Sequence, residues 1–442
     1  MAQNFLSCDR EQAMLLPASV ADWLPEGHLA RFVVALVERL DLTAFYAAYR
    51  ADGSGRPAHD PAMMVALVLF NYAVGVRSSR AIERRCVEDV ACRLVAANRV
   101  PDHVTINRFR SRFAEALSGL FGEVLAVCGQ AGMVRVGVVA VDSTKLAADA
   151  SLGANCTYEG LQAEAKRILE QAAAIDAAED DLYGDKRGDE LPEELADPKT
   201  RAGRIRELLE ELEREREQAQ AAQEAKHADY EQRARSGRRP RGRRVRADLP
   251  PKQQRTLFAR KVNVTDPDSR IVSDRGKLIQ GYNVQAAVAE GQVILAASAS
   301  ESANDQAQLQ AMVAAARANL RAGGIEDGIR QVLADSGYWN SDQIAELTQQ
   351  GLDVLVQPRR PGALSKNRTL KREMVERLSS PEGASAYRRR QQIVEPVFAH
   401  LKYLRGITRV LRRGKAAVQA EIDLIATSHN LLKLYRAAPQ AL

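Results

Sequence analysis

Three acidic residues stand where an α/β protein can do chemistry. Asp142 closes an apolar run, VRVGVVAVD (134–142), and Asp335 lies at the end of another, IRQVLADS (329–336). If these strands are adjacent and parallel, both carboxylates emerge at one carboxyl-end edge, where open α/β sheets place their ligands. Two carboxylates held there suit a hard divalent cation with oxygen ligands. A lone strand-end Asp more often caps the following turn; two in matching context point further. Glu395 is the third acid. Nine Lys or Arg residues lie between Tyr387 and Ala420, and Glu395 is the single acid among them. It reads either as an ion pair on a solvated helix, which contributes little, or as a metal-binding acid beside phosphate-binding cations. Lys402 follows two helical turns on, along the same face. Pro396, directly after Glu395, should start or kink a helix.

The elements around these residues alternate in type. After the strand 134–142 the strand pattern stops for over a hundred residues. It resumes with GYNVQAAVA (281–289) and VILAASAS (293–300), joined by Glu290-Gly291-Gln292 as a hairpin. A helix over about 305–322 follows, then the strand 329–336, another helix, and the short strand DVLVQ (353–357). The remainder is basic and helical. The layout is α/β, with antiparallel and parallel parts in one mixed sheet. Residues 157–232 are rich in Ala, Glu, Gln and Lys and read as two long helices interrupted by Pro192 and Pro198. Ile205, Leu208, Leu209 and Leu212 form a narrow apolar stripe, as in a helical hairpin or short coiled coil. The arginine run RARSGRRPRGRRVR (233–246) comes next.

Residues 1 to about 130 read as all-helical. Leu29, Phe32, Val33, Leu36, Val37 and Leu40 follow helical spacing. Pro61 to Val74 is apolar nearly all round, so that helix should be buried, with Gly75 ending it. Ser78 and Ser79 are candidate N-caps for the next helix. Pro101-Asp102 opens a helix with Ile106, Phe109, Phe113 and Leu117 on one face and Asn107, Arg108, Ser111 and Arg112 on the others. Over the 442 residues, 45% are hydrophobic and 27% charged, which excludes wholesale disorder. The most apolar run, Met63 to Phe70, is too short for a spanning helix of about 20 residues. The N-terminus lacks a signal-peptide pattern. The five cysteines are scattered and lack a CxxC, so free thiols in a reducing cytoplasm are expected.

VAVDSTKL, TDPDSRI, GYNVQAAV, VLADSGYWN and YRRRQQIVEPVFAHLK occur in that order. The set resembles the DDE transposases of bacterial insertion sequences, in the IS-four/IS-five superfamily and nearest its eleven-eighty-two group. The resemblance runs from about Gly27 to Leu434. It implies an RNase H-like mixed-sheet catalytic core (131–156 and 256–442), a helical insertion with the arginine-rich linker after the first strand (157–255), and an N-terminal helical domain (1–130). It implies that Asp142, Asp335 and Glu395 are the catalytic, metal-binding triad. The C-terminal signature of the superfamily is Tyr, two residues, Arg, three residues, Glu, six residues, Lys. Glu395 and Lys402 fit it; Tyr387 and Arg390 keep their mutual spacing but stand one residue further from Glu395. Asp305, in SANDQAQL, resembles a family position near the site, although an N-cap of the next helix is the preferred reading.

The implied mechanism uses two Mg²⁺ or Mn²⁺ ions about 3.5–4 Å apart, which activate water or a DNA 3′-hydroxyl and stabilise the leaving oxygen. Its substrates are transposon inverted-repeat ends and target duplex DNA. Two ends must be paired, so the resemblance also implies a homodimer, acting on nucleoid DNA in the cytoplasm. DNA is gripped chiefly through phosphates. Candidates are Lys402, Arg390, Arg405, Arg409 and Arg412 in the C-terminal part, the arginine run, and Asn107, Arg108 and Arg112 on a helix-turn-helix-like reader. The acidic stretch 176–197 cannot favour DNA and should face solvent or a partner subunit. Two other readings stay open: a metal nuclease that does not rejoin DNA, and a catalytically idle DNA-binding repressor.

Overall fold

Val138 to Val141 are buried without alternation, as a strand covered on both faces must be. They open β1 (Val138–Ala147), the centre of the sheet. The other strands are β2 (Asn155–Cys156), β3 (Val262–Asn263), β4 (Arg270–Asp274), β5 (Lys277–Ala289), β6 (Ile294–Ser300), β7 (Gln331–Ala334) and β8 (Asp353–Val356). The structure, a computed structural model, describes residues 19–49, 57–163, 166, 198–235, 245–248, 261–300, 302, 304–326, 328–358 and 368–437. The chain divides into two units, Met1–Leu146 with Tyr282–Leu442, and Ala147–Gly281.

In the first unit the sheet order is β6–β5–β1–β7–β8. β1, β7 and β8 are parallel; β5 and β6 form the expected antiparallel hairpin. Two boundaries differ from the sequence expectation. β1 begins at Val138 rather than at 134, because the Gly137 carbonyl accepts the N–H groups of Arg330 and Gln331 where the parallel partner starts. It also runs on to Ala147, so Asp142 lies mid-strand and not at a strand end. Pairing with β7 nevertheless stops at Val141↔Ala334. Asp142 is therefore the first residue of β1 past that pairing, and Asp335 the first residue after β7.

The N-terminal helices of this unit pack mainly against one another. They include α1 (Leu29–Val37), α2 (Thr43–Tyr46), α3 (Pro61–Ala73), α4 (Ser79–Glu88), α5 (Val90–Val95), α6 (His103–Arg112) and α7 (Ala114–Gln130). α3 is buried nearly all round, starts at the Asp60 cap with Pro61, and gives way to Gly75. Gly75 has φ +84°, and a Cβ there would lie 2.6 Å from the Arg405 carbonyl oxygen, so only glycine fits. Ser78 precedes α4 but makes no side-chain cap bond. Asp102 caps α6 through the Thr105 N–H, and Ile106, Phe109, Phe113 and Leu117 are buried as expected. They do not share one helix, however. Phe113 leaves helical conformation between α6 and α7 and stacks within a cluster of Phe45, Tyr49 and Phe109.

In the second unit α8 (Pro198–Arg235) is a single long helix. Leu212 packs with Leu161 and Val262, and Leu209 lies against them, so this part of the apolar stripe closes an intramolecular core. β2 pairs with β3, and β4 with the first residues of β5. Pro192, the acidic stretch 176–197, Cys8 and the middle of the arginine run (236–244) lie outside the described residues.

The C-terminal part returns to the first unit as α9 (Leu309–Ala322), α10 (Ser341–Gln349), α11 (Arg368–Ser379), α12 (Pro381–Ala399) and α13 (Lys415–Ala437). α13 packs against α7, α3 and β6. Two of its side chains cover the edge of β6. Asn430 accepts from the Ile294 N–H and donates to the Ile294 carbonyl, at 2.9 and 2.8 Å. Gln419 does the same for the Ala299 N–H and the Ala297 carbonyl. The edge strand is thus satisfied without another strand. No helix among the described residues is long and apolar enough to cross a membrane.

Candidate active site

The β1–β7 register brings Asp142 and Asp335 to one edge of the sheet, and α12 brings a basic residue onto them. Arg390 Nη1 donates to Asp142 Oδ2 at 2.7 Å, and its Nη2 lies 3.4 Å from Glu395 Oε1. A single guanidinium therefore spans two of the three acids named from sequence. Arg390, expected from sequence to contact DNA, lies against carboxylates here. Tyr387 fixes the helix carrying them, its hydroxyl donating to the Ala334 carbonyl one residue before Asp335 (3.2 Å). Pro396 sits inside α12, and the helix passes into a single π turn at His400–Leu404.

Each aspartate is held by its local backbone. Asp142 Oδ1 accepts the Ser143 N–H (2.8 Å). Asp335 Oδ1 accepts the Gly337 N–H (2.8 Å) and so caps the short 3-10 turn Ser336–Tyr338. Burial pushes Asp142 up to about 6, and the charge of Asp335 adds to this; Arg390 and the Ser143 N–H oppose it. Tyr338 is raised well above the ordinary phenol range by burial and then by Asp305, Asp142 and Asp335. Among the described residues, Arg390 pairs with Asp142 and Glu395, and Lys145 with Asp305.

This group of residues is rich in carboxylates. Its donors are all oxygen, which fits Mg²⁺ or Mn²⁺ better than a soft metal. Among the described residues no three His, Cys, Asp or Glu side chains stand close enough to hold an ion as they are, and Arg390 stands between Asp142 and Glu395. The donor chemistry fits a divalent cation that competes with that guanidinium.

The reading of Asp305 as an N-cap is corrected. Gln308 occupies the cap position of α9. The Asp305 side chain instead accepts from Asn283 Nδ2 and Gln285 Nε2, both at 2.7 Å, with Lys145 Nζ 3.7 Å away. Asn283, Gln285 and Lys145 were missed as site residues. A signal existed in GYNVQAAV: two polar residues at period two, buried in an otherwise apolar strand.

The basic residues separate into exposed and internal groups. Asn107 and Arg108 are exposed on α6, as is Arg409 further on. Arg112 donates to the Ala48 carbonyl and lies over the Tyr49 ring. Arg412 is half-buried and donates to Ser111 Oγ at 2.8 Å. Lys402 lines a narrow cleft with Thr144, Gln285 and Phe398. Arg405 departs from expectation: it is buried and donates to the Tyr72 carbonyl and to Ser428 Oγ. Burial, with Arg77 and Arg436, lowers it to about 9. Its guanidinium serves the interior rather than a phosphate.

Carboxylates at the carboxyl edge of a mixed α/β sheet suit hard cations, which can polarise a phosphodiester. Comparison with known families gives the class. A family described as Transposase domain (DUF772) matches residues 18–112, and one described as Transposase DDE domain matches 251–431. The chain belongs to the DDE transposases of insertion-sequence type. It is a DNA transposase, a metal-dependent enzyme that cleaves DNA and transfers strands; neither the cleavage-only nor the repressor reading is favoured. No curated protein and no solved structure matches it.

Proposed function

We propose that Asp142, Asp335 and Glu395 are the triad that cuts the inverted-repeat ends of an insertion sequence and joins them to target DNA. The observation that carries this reading is the β1–β7 register, which sets Asp142 and Asp335 side by side just past Val141↔Ala334. Glu395 is tied to Asp142 through Arg390. The three carboxylates would hold the divalent ions, Mg²⁺ or Mn²⁺ and two in number. Bound there, such ions supply Lewis-acid polarisation of the phosphoryl group and an activated water or 3′-hydroxyl.

The protein's own groups do the positioning. Tyr387 anchors α12 to the Ala334 carbonyl, which keeps Glu395 over the edge where Asp335 leaves the sheet. Arg390 pairs with Asp142 and Glu395 and, with divalent ions held by those carboxylates, would be available to a DNA phosphate. Lys402 holds a phosphate flanking the scissile bond. Asn107 and Arg108 read the end through α6, with Arg112, Arg409 and Arg412 contributing phosphate contacts.

The strand order β6–β5–β1–β7–β8 supports an RNase H-like core. We retain the division into a DNA-binding domain (1–130), a catalytic core (131–156 and 256–442) and a helical insertion (157–255), and the eleven-eighty-two group as nearest kin. The working form is a homodimer on paired ends, in the bacterial cytoplasm.

The triad is tested with Asp142→Asn and Glu395→Gln. Both should lose metal-dependent cleavage of an inverted-repeat duplex and keep its binding. Wild-type cleavage by either variant removes that residue from the triad.

A further inference from the structure

Asp305 lies outside the triad, yet the two aspartates of the triad are linked to it. Its Oδ1 accepts the amide N–H groups of Asn283 and Gln285, each at 2.7 Å. Both amides are buried on one face of β5. With their nitrogens turned to Asp305, their oxygens must point elsewhere as acceptors. The Gln285 oxygen accepts the Tyr338 hydroxyl, and the Asn283 oxygen accepts the Lys145 ammonium.

Each of these two contacts ends beside a triad aspartate. Tyr338 closes the 3-10 turn that Asp335 caps, and its N–H donates to the Asp335 carbonyl. Lys145 stands three residues beyond Asp142 on β1 and also reaches Ser143 Oγ, at 3.4 Å. One carboxylate oxygen thus orients two amides, and through them a strand and a turn. The other oxygen, Oδ2, faces Gly337: a Cβ added there would lie 3.2 Å from it and 2.9 Å from Asp335 Oδ1. The missing side chain lets the two carboxylates approach.

We infer that Asp305 is a positioning residue of the metal centre, which sets the placement of Asp142 and Asp335 through the Asn283–Lys145 and Gln285–Tyr338 hydrogen bonds. This rests on the triad reading above. Groups that orient ligands in this way typically change metal affinity by about 10–100-fold when removed.

The test is Mn²⁺ binding to the full-length protein, read by electron paramagnetic resonance, alongside thermal unfolding. Asp142→Asn serves as the control that defines the centre. Asp305→Ala removes the shared acceptor and should weaken Mn²⁺ binding about tenfold. Asp305→Asn keeps an oxygen for both amides and should stay within about threefold of wild type. Tyr338→Phe removes one arm, and its effect should vanish in the Asp305→Ala background. If Asp305→Ala fails to fold, Asp305→Asn and Tyr338→Phe still decide. Tyr338→Phe must weaken binding while Asp305→Asn does not.

Wild-type affinity in Asp305→Ala, with binding lost in Asp142→Asn, overturns the inference and leaves the triad standing. Equal losses in Asp305→Asn and Asp305→Ala also overturn it, because charge rather than orientation would then matter. Full binding in Asp142→Asn removes the triad as the metal centre, and the inference falls with it.

Discussion

Arg390 is the residue on which the site's charge balance turns. It holds Asp142 and Glu395 together, with only 13% of its side chain exposed against 17% for Asp142. Removing it leaves a largely buried carboxylate without its ion pair, a change that costs about 1.5–3 kcal/mol for a charged hydrogen bond. Arg390→Ala should therefore unfold at a lower temperature in metal-free buffer, by a few degrees. Added Mn²⁺ should narrow that deficit, because a cation supplies the charge the guanidinium gave. A deficit that Mn²⁺ leaves unchanged would separate Arg390 from the carboxylates proposed to bind metal. The acids themselves were legible in sequence, as Asp residues after apolar β-branched runs. The role of Arg390 was not, since a basic residue in a basic segment carries no sign of what it faces. Arg405 misled for the same reason: only the packing of α3 and α13 puts Tyr72 O and Ser428 Oγ within its reach.

Strand β6 depends on a helix for its edge. Asn430 occupies both backbone groups of Ile294, and the residue is fully buried. Asn430→Leu would strand a buried N–H and a buried carbonyl, each worth about 1–3 kcal/mol. Urea unfolding should show a loss of at least about 2 kcal/mol; an unchanged midpoint would mean that water or a neighbour replaces the amide. The hairpin of β5 and β6 was legible from two apolar runs around a three-residue link. The end of β1 was not. A strand continues for as long as it has a partner, and β5 outlasts β7 beside it. Asp142 accordingly sits within a strand while still occupying the first position free of β7. The break of α6 from α7 at Phe113 was hidden in turn, because the apolar spacing of Ile106, Phe109, Phe113 and Leu117 continues through it.

The molecule as a whole combines a helical N-terminal region with an acidic sheet edge, and its net charge is only +6. Grip on DNA must then come from local surfaces rather than from a general field. α6 offers one, with Asn107 and Arg108 exposed and the opposite face buried. Arg108→Ala should weaken binding to the inverted-repeat end and reduce the dependence of log K on log salt by about 1. If affinity and slope are both unchanged, α6 does not touch the ends.

Cutting and joining by one set of carboxylates is the central claim, and strand transfer tests it apart from hydrolysis. A labelled duplex with the inverted-repeat end already cut, carrying a free 3′-hydroxyl, is incubated with supercoiled target DNA and Mg²⁺ or Mn²⁺. Wild-type protein should give joined product that disappears on removing the metal and in Asp335→Asn, while Asp335→Asn still binds the end. Joined product from Asp335→Asn at the wild-type level would contradict the account.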